Sequence, residues 1–133
     1  MKVYSRNHIY RYVPNYLNNR QLPAEEQIVI KLRCIAAPDD DQYNRECYAA
    51  SRTYSADKAQ ELNEARLKKL YVEKFCGVEG LDIDGMEGKP LDFDTFYNEA
   101  PPELVADIVR AMRSGEALTA GEQKNYVPGS GGL

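Results

Sequence analysis

The run Gln27-Ile28-Val29-Ile30-Lys31-Leu32-Arg33-Cys34-Ile35-Ala36 sets the strongest limit on the fold. Ile28, Ile30, Leu32 and Cys34 fall on one face of an extended chain. Val29, Lys31, Arg33 and Ile35 fall on the other. This alternation belongs to a half-buried strand. Residues 8–13, rich in aromatic and β-branched types, read as a second strand ended by Pro14. There, Ile9, Arg11 and Val13 share one face, and His8, Tyr10 and Tyr12 the other. Two strands alone are marginal in water. The pair must therefore pack against helices or pair with another chain.

The helices follow. Residues 15–26 form an Asn-rich loop with a short helical turn over 22–26. Asp39, Asp40 and Asp41 suit a helix N-terminus, where carboxylates face unpaired N–H groups and the positive end of the dipole. A helix over 39–53 stacks Tyr43, Cys47, Ala50 and Tyr54. Ser55 caps a second helix over 56–76, built from strong helix formers. In its C-terminal part, apolar residues wrap more than half the circumference. Ala59, Leu62, Leu67 and Leu70 mark one face, Tyr71 and Phe75 flank it, and Ala65, Val72 and Cys76 lie on another. A helix apolar on two sides is either central to its own domain or buried against a partner. Residues 77–92 are turn-rich, with Asp84-Gly85 a hairpin-type dipeptide. A helix covers 93–99, and Pro101-Pro102 opens another. That last one carries a Leu104, Ile108 and Met112 stripe and ends before Gly115. Thr119-Ala120-Gly121-Glu122 matches a capping box for a short final helix. The expected fold is α+β and mainly helical: a short N-terminal antiparallel two-stranded element, then four or five helices around one core. Residues 1–126 form that single domain, and residues 127–133 a flexible tail.

Composition narrows the function. The 133 residues are 43 % hydrophobic and 29 % charged, which suits one globular domain with its own core. Lys and Arg number 17 against 21 Asp and Glu, a net charge of −4. Arg66, Lys68, Lys69 and Lys74 are interleaved with Glu61, Glu64 and Glu73 and read as a solvated helix face, so nucleic-acid binding is disfavoured. The N-terminus lacks the apolar core of a signal peptide, and no window approaches the ~20 apolar residues of a membrane helix. The expectation is a cytoplasmic protein with no membrane partner. Cys34, Cys47 and Cys76 match no zinc spacing and read as buried thiols in a reducing compartment.

No motif carries catalysis. His8 is the single histidine and has no neighbouring acid. Asp82-Ile83-Asp84-Gly85 fails as a calcium loop, because glycine falls at position 4 and Phe93 at position 12. Asp92 and Asp94, like Asp39 to Asp41, read as helix caps. The glycines at 77, 80, 85 and 88 make no phosphate loop. The sequence therefore offers no catalytic, cofactor or metal site. Ten tyrosines with no tryptophan remain. Tyr4, Tyr10, Tyr12 and Tyr16 crowd the N-terminus, and such residues suit either strands or interfaces.

One pattern of residues points to a family. Phe75-Cys76-Gly77-Val78-Glu79-Gly80-Leu81 runs into Asp84-Gly85 and Gly88-Lys89-Pro90-Leu91. An acidic-aromatic helix follows, and then Ala100-Pro101-Pro102-Glu103-Leu104-Val105-Ala106-Asp107-Ile108. Together with Leu22-Pro23-Ala24-Glu25-Glu26 before the 27–33 strand, and with Leu118-Thr119 and Lys124-Asn125, this resembles the tail assembly chaperones of long-tailed bacteriophages and prophages. Family members often carry a tryptophan or a second valine where this chain has Gly77. The resemblance implies a small, non-enzymatic, largely helical protein without cofactors, acting in the bacterial host cytoplasm and absent from the mature virion. It implies that the protein binds the tape-measure protein, recruits tail-tube subunits and self-associates as a homo-oligomer. Under this reading the candidate partner-binding residues are Tyr10, Tyr12, Tyr71, Phe75, Leu104, Ile108 and Met112. Otherwise the same residues fill the chain's own core. The alternatives are an adaptor domain of a non-phage bacterial complex, and a metal-assisted hydrolase using Asp82, Asp84 and Asp92.

Overall fold

The computed structural model describes residues 5–114. Strands β1 (Tyr10–Tyr12), β2 (Val29–Leu32) and β3 (Phe75–Glu79) make one antiparallel sheet in the order β1-β2-β3. Helices α1 (Ala37–Thr53) and α2 (Ala56–Lys74) form a hairpin between β2 and β3. Helices α3 (Phe93–Glu99) and α4 (Pro102–Ser114) follow the sheet. The architecture is α+β with helices dominant. The capping box at Thr119, the final helix, the 127–133 tail, Gly115 and Tyr4 lie outside the described residues.

The sheet has a third strand where the sequence implies two. Phe75 and Cys76, expected to end α2, instead begin β3, which continues to Glu79 through part of the turn-rich segment. The reason is tertiary. Without β3, one edge of β2 would be left unpaired, and β3 supplies Ile30↔Val78 and Leu32↔Phe75 pairs there. On the other edge, β1 pairs Tyr10↔Leu32 and Tyr12↔Ile30. The β2–β3 register shifts between Lys31, opposite Gly77, and Leu32, opposite Phe75. Cys76 is therefore the extra residue of a bulge. Gly77 stands at φ 148° with no atom within 4 Å of where a Cβ would sit, so its backbone conformation favours glycine there.

Alternation decides most of the faces as the sequence suggests, although Val29, on the face opposite Ile30, is buried as well. Ile30, Leu32 and Cys34 are buried together with Tyr10 and Tyr12, while Arg11 is exposed. Phe93, Phe96, Leu104, Ile108, Ala111 and Met112 from α3 and α4 complete the core. Each large apolar side chain buried there stabilises the fold by about 1.5–3 kcal/mol. Ile35 is buried too, because the chain has left the sheet by that point and its N–H donates to the Met112 carbonyl at 2.9 Å. The Tyr12 hydroxyl donates to Asp107 Oδ1 at 2.8 Å, which ties β1 to α4.

The 15–26 loop holds two 3-10 turns, Tyr16–Gln21 and Ala24–Glu26. Leu17 and Asn18 have φ of 48° and 60°. Asparagine tolerates this left-handed region, but leucine pays about 1–2 kcal/mol for it. Asn19 holds the turn in place. It is buried, its Nδ2 donates to the carbonyls of Pro14 at 2.8 Å and Ile28 at 3.0 Å, and its Oδ1 accepts from Ile28 N–H at 2.7 Å.

At the base of the hairpin, Lys74 Nζ meets Asp39 Oδ2 at 2.9 Å, with both side chains largely buried. Asp39 also accepts the Ala36 N–H at 2.9 Å, which makes it the cap of α1. Burial alone would raise the Asp39 pKa. The Lys74 hydrogen bond, the Ala36 N–H and the charges of Lys74 and Arg6 together outweigh burial and hold it below its ordinary 3.8. Lys74 is thus a buried partner and not part of a solvated face. Arg66 and Lys68 also act as braces, to Glu46 of α1 and Asp94 of α3.

Two predictions follow from this geometry. An alanine Cβ at Gly80 would lie 2.3 Å from the Gln27 carbonyl oxygen, on a backbone with φ +75°. Gly80→Ala should cost about 2 kcal/mol or more, and lower Tm in a thermal melt by roughly 6 °C or more. Gly85→Ala, where φ is +83° and the space is open, should cost about half as much. Lys74→Met should lose about 3 kcal/mol in urea titrations because it strands the Asp39 carboxylate. Asp39→Asn in that background should recover part of the loss. Because the folded pKa of Asp39 is depressed, its contribution is complete above about pH 4 and fades as pH falls through the lowered value. Asp39→Asn should flatten that acid limb of the stability curve.

Candidate functional site

Six of the seven candidate partner-binding residues are buried in this chain. Leu104, Ile108 and Met112 are fully buried, Tyr10 and Tyr12 nearly so, and Tyr71 is 9 % exposed. Phe75 is half-buried and packs on Phe93 and Phe96, with ring centroids 5.8 and 5.3 Å away. The apolar stripe of α4 faces inward and joins Tyr10, Tyr12, Ile30 and Leu32 of the sheet in one core. Tyr71 turns inward because Arg113 donates to its hydroxyl at 2.9 Å. These residues pack in or against the core, and of them Tyr71 also lines a groove at the surface.

The open apolar surface lies along α2 instead. Ala59 and Tyr71 are buried, Leu62, Leu67 and Leu70 are half-buried, and Val72 is 42 % exposed. This spread follows from the apolar wrap read in the sequence: α2 packs on α1 with one face and on α3 with another. Two grooves remain. The first, of about 530 Å³, runs between α1 and α2 past Tyr43, Ser51, Ala56, Ala59, Gln60 and Asn63. Its small residues let the helices approach without filling the space beside them. The second, of about 420 Å³, lies between α2 and α3 and is lined by Ala65, Lys68, Tyr71, Phe93, Tyr97 and Glu61. Glu64 and Leu67 line both, so the grooves meet across α2.

Packed rings make the second groove stiff. Phe93 stands 5.8 Å from both Tyr71 and Tyr97, measured between ring centroids. Lys68 Nζ pairs with Asp94 at 3.0 Å and lies 5.6 Å from the Tyr97 ring centroid. Tyr97 itself is 51 % exposed. In the first groove, burial and a hydrogen bond with Cys47 push the Tyr43 phenol up to about 12, so it stays neutral and can share a hydrogen bond. Among the described tyrosines, Tyr48, Tyr54 and Tyr97 are exposed, whereas Tyr10 and Tyr12 are buried and Tyr16 is half-buried. Sequence reasoning passed over Tyr97, although Phe93 and Tyr97 at a spacing of four mark an aromatic stripe on α3.

The remaining candidates are scattered. His8 packs edge-on against Tyr10 at 4.5 Å. Asp92 Oδ1 accepts the Thr95 N–H at 2.8 Å, which caps α3 and lowers its pKa. Asp82 and Asp84 are exposed, and Asp84-Gly85 sits in a turn closed by Met86 N–H donating to the Ile83 carbonyl. Among the described residues no three His, Cys, Asp or Glu side chains gather as a metal site. No helix among them is long and apolar enough to cross a membrane. None of the cysteines forms a disulfide. Cys34 is buried as expected, but Cys47 is only half-buried and Cys76 is exposed, because the bulge turns it outward.

Comparisons with protein-family models, with curated proteins and with solved structures find no match.

Thiol chemistry reads out this arrangement. Under native conditions an alkylating reagent should modify Cys76 first and Cys47 more slowly. Cys34 should react only at the rate of unfolding. Mass spectrometry of timed digests measures all three, and early labelling of Cys34 would contradict the packing described.

Proposed function

We propose that this chain is a tail assembly chaperone of a long-tailed phage or prophage, which holds a helical stretch of the tape-measure protein and recruits tail-tube subunits. The observation that carries the reading is the pair of connected apolar grooves along α2. A groove between two helices takes the apolar stripe of a third helix, with side chains at i, i+3, i+4 and i+7 as anchors. The resemblance covers most of residues 20–125, a span that includes the helices bearing the grooves. Binding is the chemistry these surfaces suit: apolar floors, polar rims and tyrosine rings.

In this reading the client helix lies along the α1–α2 groove, over Ala59 and Leu67. Co-expression with fragments of the neighbouring tape-measure gene tests it. A fragment with an apolar helical stripe should co-purify with the wild type. Gln60→Trp, which fills the groove from an exposed position, should weaken capture by about tenfold or more while Tm is kept. A wild-type chain that captures no tape-measure fragment would move the reading to an adaptor of another bacterial complex.

A further inference from the structure

We propose that a small pocket at the base of the α1–α2 hairpin binds a phosphate group, held by Arg6, Asn7 and Arg33 beside the buried Lys74–Asp39 pair. The pocket is about 300 Å³, and its walls come from three places in the chain. The turn before β1 supplies the first wall. His8 N–H donates to the Ser5 carbonyl at 2.9 Å and Asn7 N–H to Ser5 Oγ at 3.2 Å, so Arg6 and Asn7 sit at the tip of that turn. Arg33, just past the end of β2, supplies the second wall. Its N–H donates to the Lys74 carbonyl at 2.8 Å, which pins it beside the hairpin base. Asp39 of α1, with Glu73 and Lys74 of α2, makes the third. Arg6 lies near enough to Asp39 for its charge to help lower that carboxyl's pKa.

The charges of the lining do not cancel. Lys74 and Asp39 satisfy each other at 2.9 Å. Glu73 then stands against two guanidinium groups, so the pocket is positive in a chain whose net charge is −4. Neither arginine meets a carboxylate within ion-pair distance among the described residues. The Arg33 side chain makes one hydrogen bond there, from Nη2 to the Glu73 carbonyl at 2.7 Å. Arg33 Nε is buried with no hydrogen-bond partner. A charged N–H shut away from water without an acceptor is costly, and few such groups persist in folded chains. An oxygen of a bound anion supplies the acceptor after a small turn of the guanidinium. The donors approach from separate walls: two guanidinium forks and the Asn7 amide. A tetrahedral phosphate presents oxygens in more than one plane and can meet them all, whereas a carboxylate has two oxygens in a single plane. The volume is at the small end for ligand pockets, which suits free phosphate or a compact phosphomonoester. Asp39 is already spent on Lys74 and the Ala36 N–H. Glu73 is the opposing group, and it is exposed, so its carboxylate can swing into water.

The pocket is separate from both α2 grooves and stands whether or not the client reading does. The test is nitrogen–proton NMR of the full, isotope-labelled chain, titrated with inorganic phosphate at constant pH and ionic strength. The Arg33 Nε–H and Asn7 amide signals should move together along one saturating curve. Arg6→Gln changes an exposed side chain and should weaken binding by about tenfold. Arg33→Lys keeps the charge, loses the fork and, followed at Asn7, should do the same. Glu73→Gln removes the opposing carboxylate and should tighten binding by about threefold. In thermal melts, phosphate at about ten times its Kd should raise the wild-type Tm by about 5 °C. Arg6→Gln should gain less, whereas a general salt effect would raise both alike. Methyl phosphate separates the two sources: tighter binding than inorganic phosphate makes the ligand a phosphomonoester, and equal or weaker binding makes it free phosphate. Signals that stay still at millimolar phosphate overturn the proposal. So do curves unchanged in Arg6→Gln and Arg33→Lys, or acetate binding as tightly as phosphate.

Discussion

The architecture hangs on Lys74, the last residue of α2. Its carbonyl accepts the Arg33 N–H at 2.8 Å, which sets β2 against the start of β3. Its ammonium is buried against Asp39, which in turn caps α1. Helix, helix and strand therefore meet at one residue. An unpaired buried ammonium is strongly disfavoured, so α1 must begin where it can supply the carboxylate. Once α2 ends there, Phe75 is free to turn into the sheet and complete the ring cluster with Phe93 and Phe96.

Much of this was legible in the sequence, and the exceptions share a cause. The alternation in residues 28–34 identified the buried face of β2, and the Ser55 cap and the acids near Asp39 placed α1 and α2 to within a few residues. The spacing of Leu104, Ile108 and Met112 gave α4 its inward face. β3 was hidden because its residues have no alternation of their own. The bulge at Cys76 breaks the period, and the helix before it runs up to Phe75 without a breaker. Only the empty edge of β2 calls for the strand, and that is a fact about tertiary pairing. Lys74 was misread for the same reason. Sequence neighbours such as Glu73 suggested a solvated face, while its actual partner is 35 positions away.

The candidate surface was half legible. The two-sided apolar character of α2 pointed to the helix that borders both grooves. The residues chosen as anchors were the strongest apolar ones, and the folding chain claims those first. What stays open along the grooves is the second rank: alanines, half-buried leucines and tyrosines whose rings tolerate water. Tyr97 looks unremarkable as a letter. Its significance lies in its exposure beside the α2–α3 groove.

The junction between α2 and β3 has a mechanical consequence. Lys74 is helical and Phe75 is already extended, so no residue between them is left to act as a hinge. A helix of 19 residues is about 28 Å long. Joined to the sheet without slack and braced by α1, it behaves as a lever whose fulcrum is the buried ion pair. A load taken up near Tyr48 or Tyr54, toward the far end of the arm, is delivered to the middle strand of the sheet and is not dissipated in a loop.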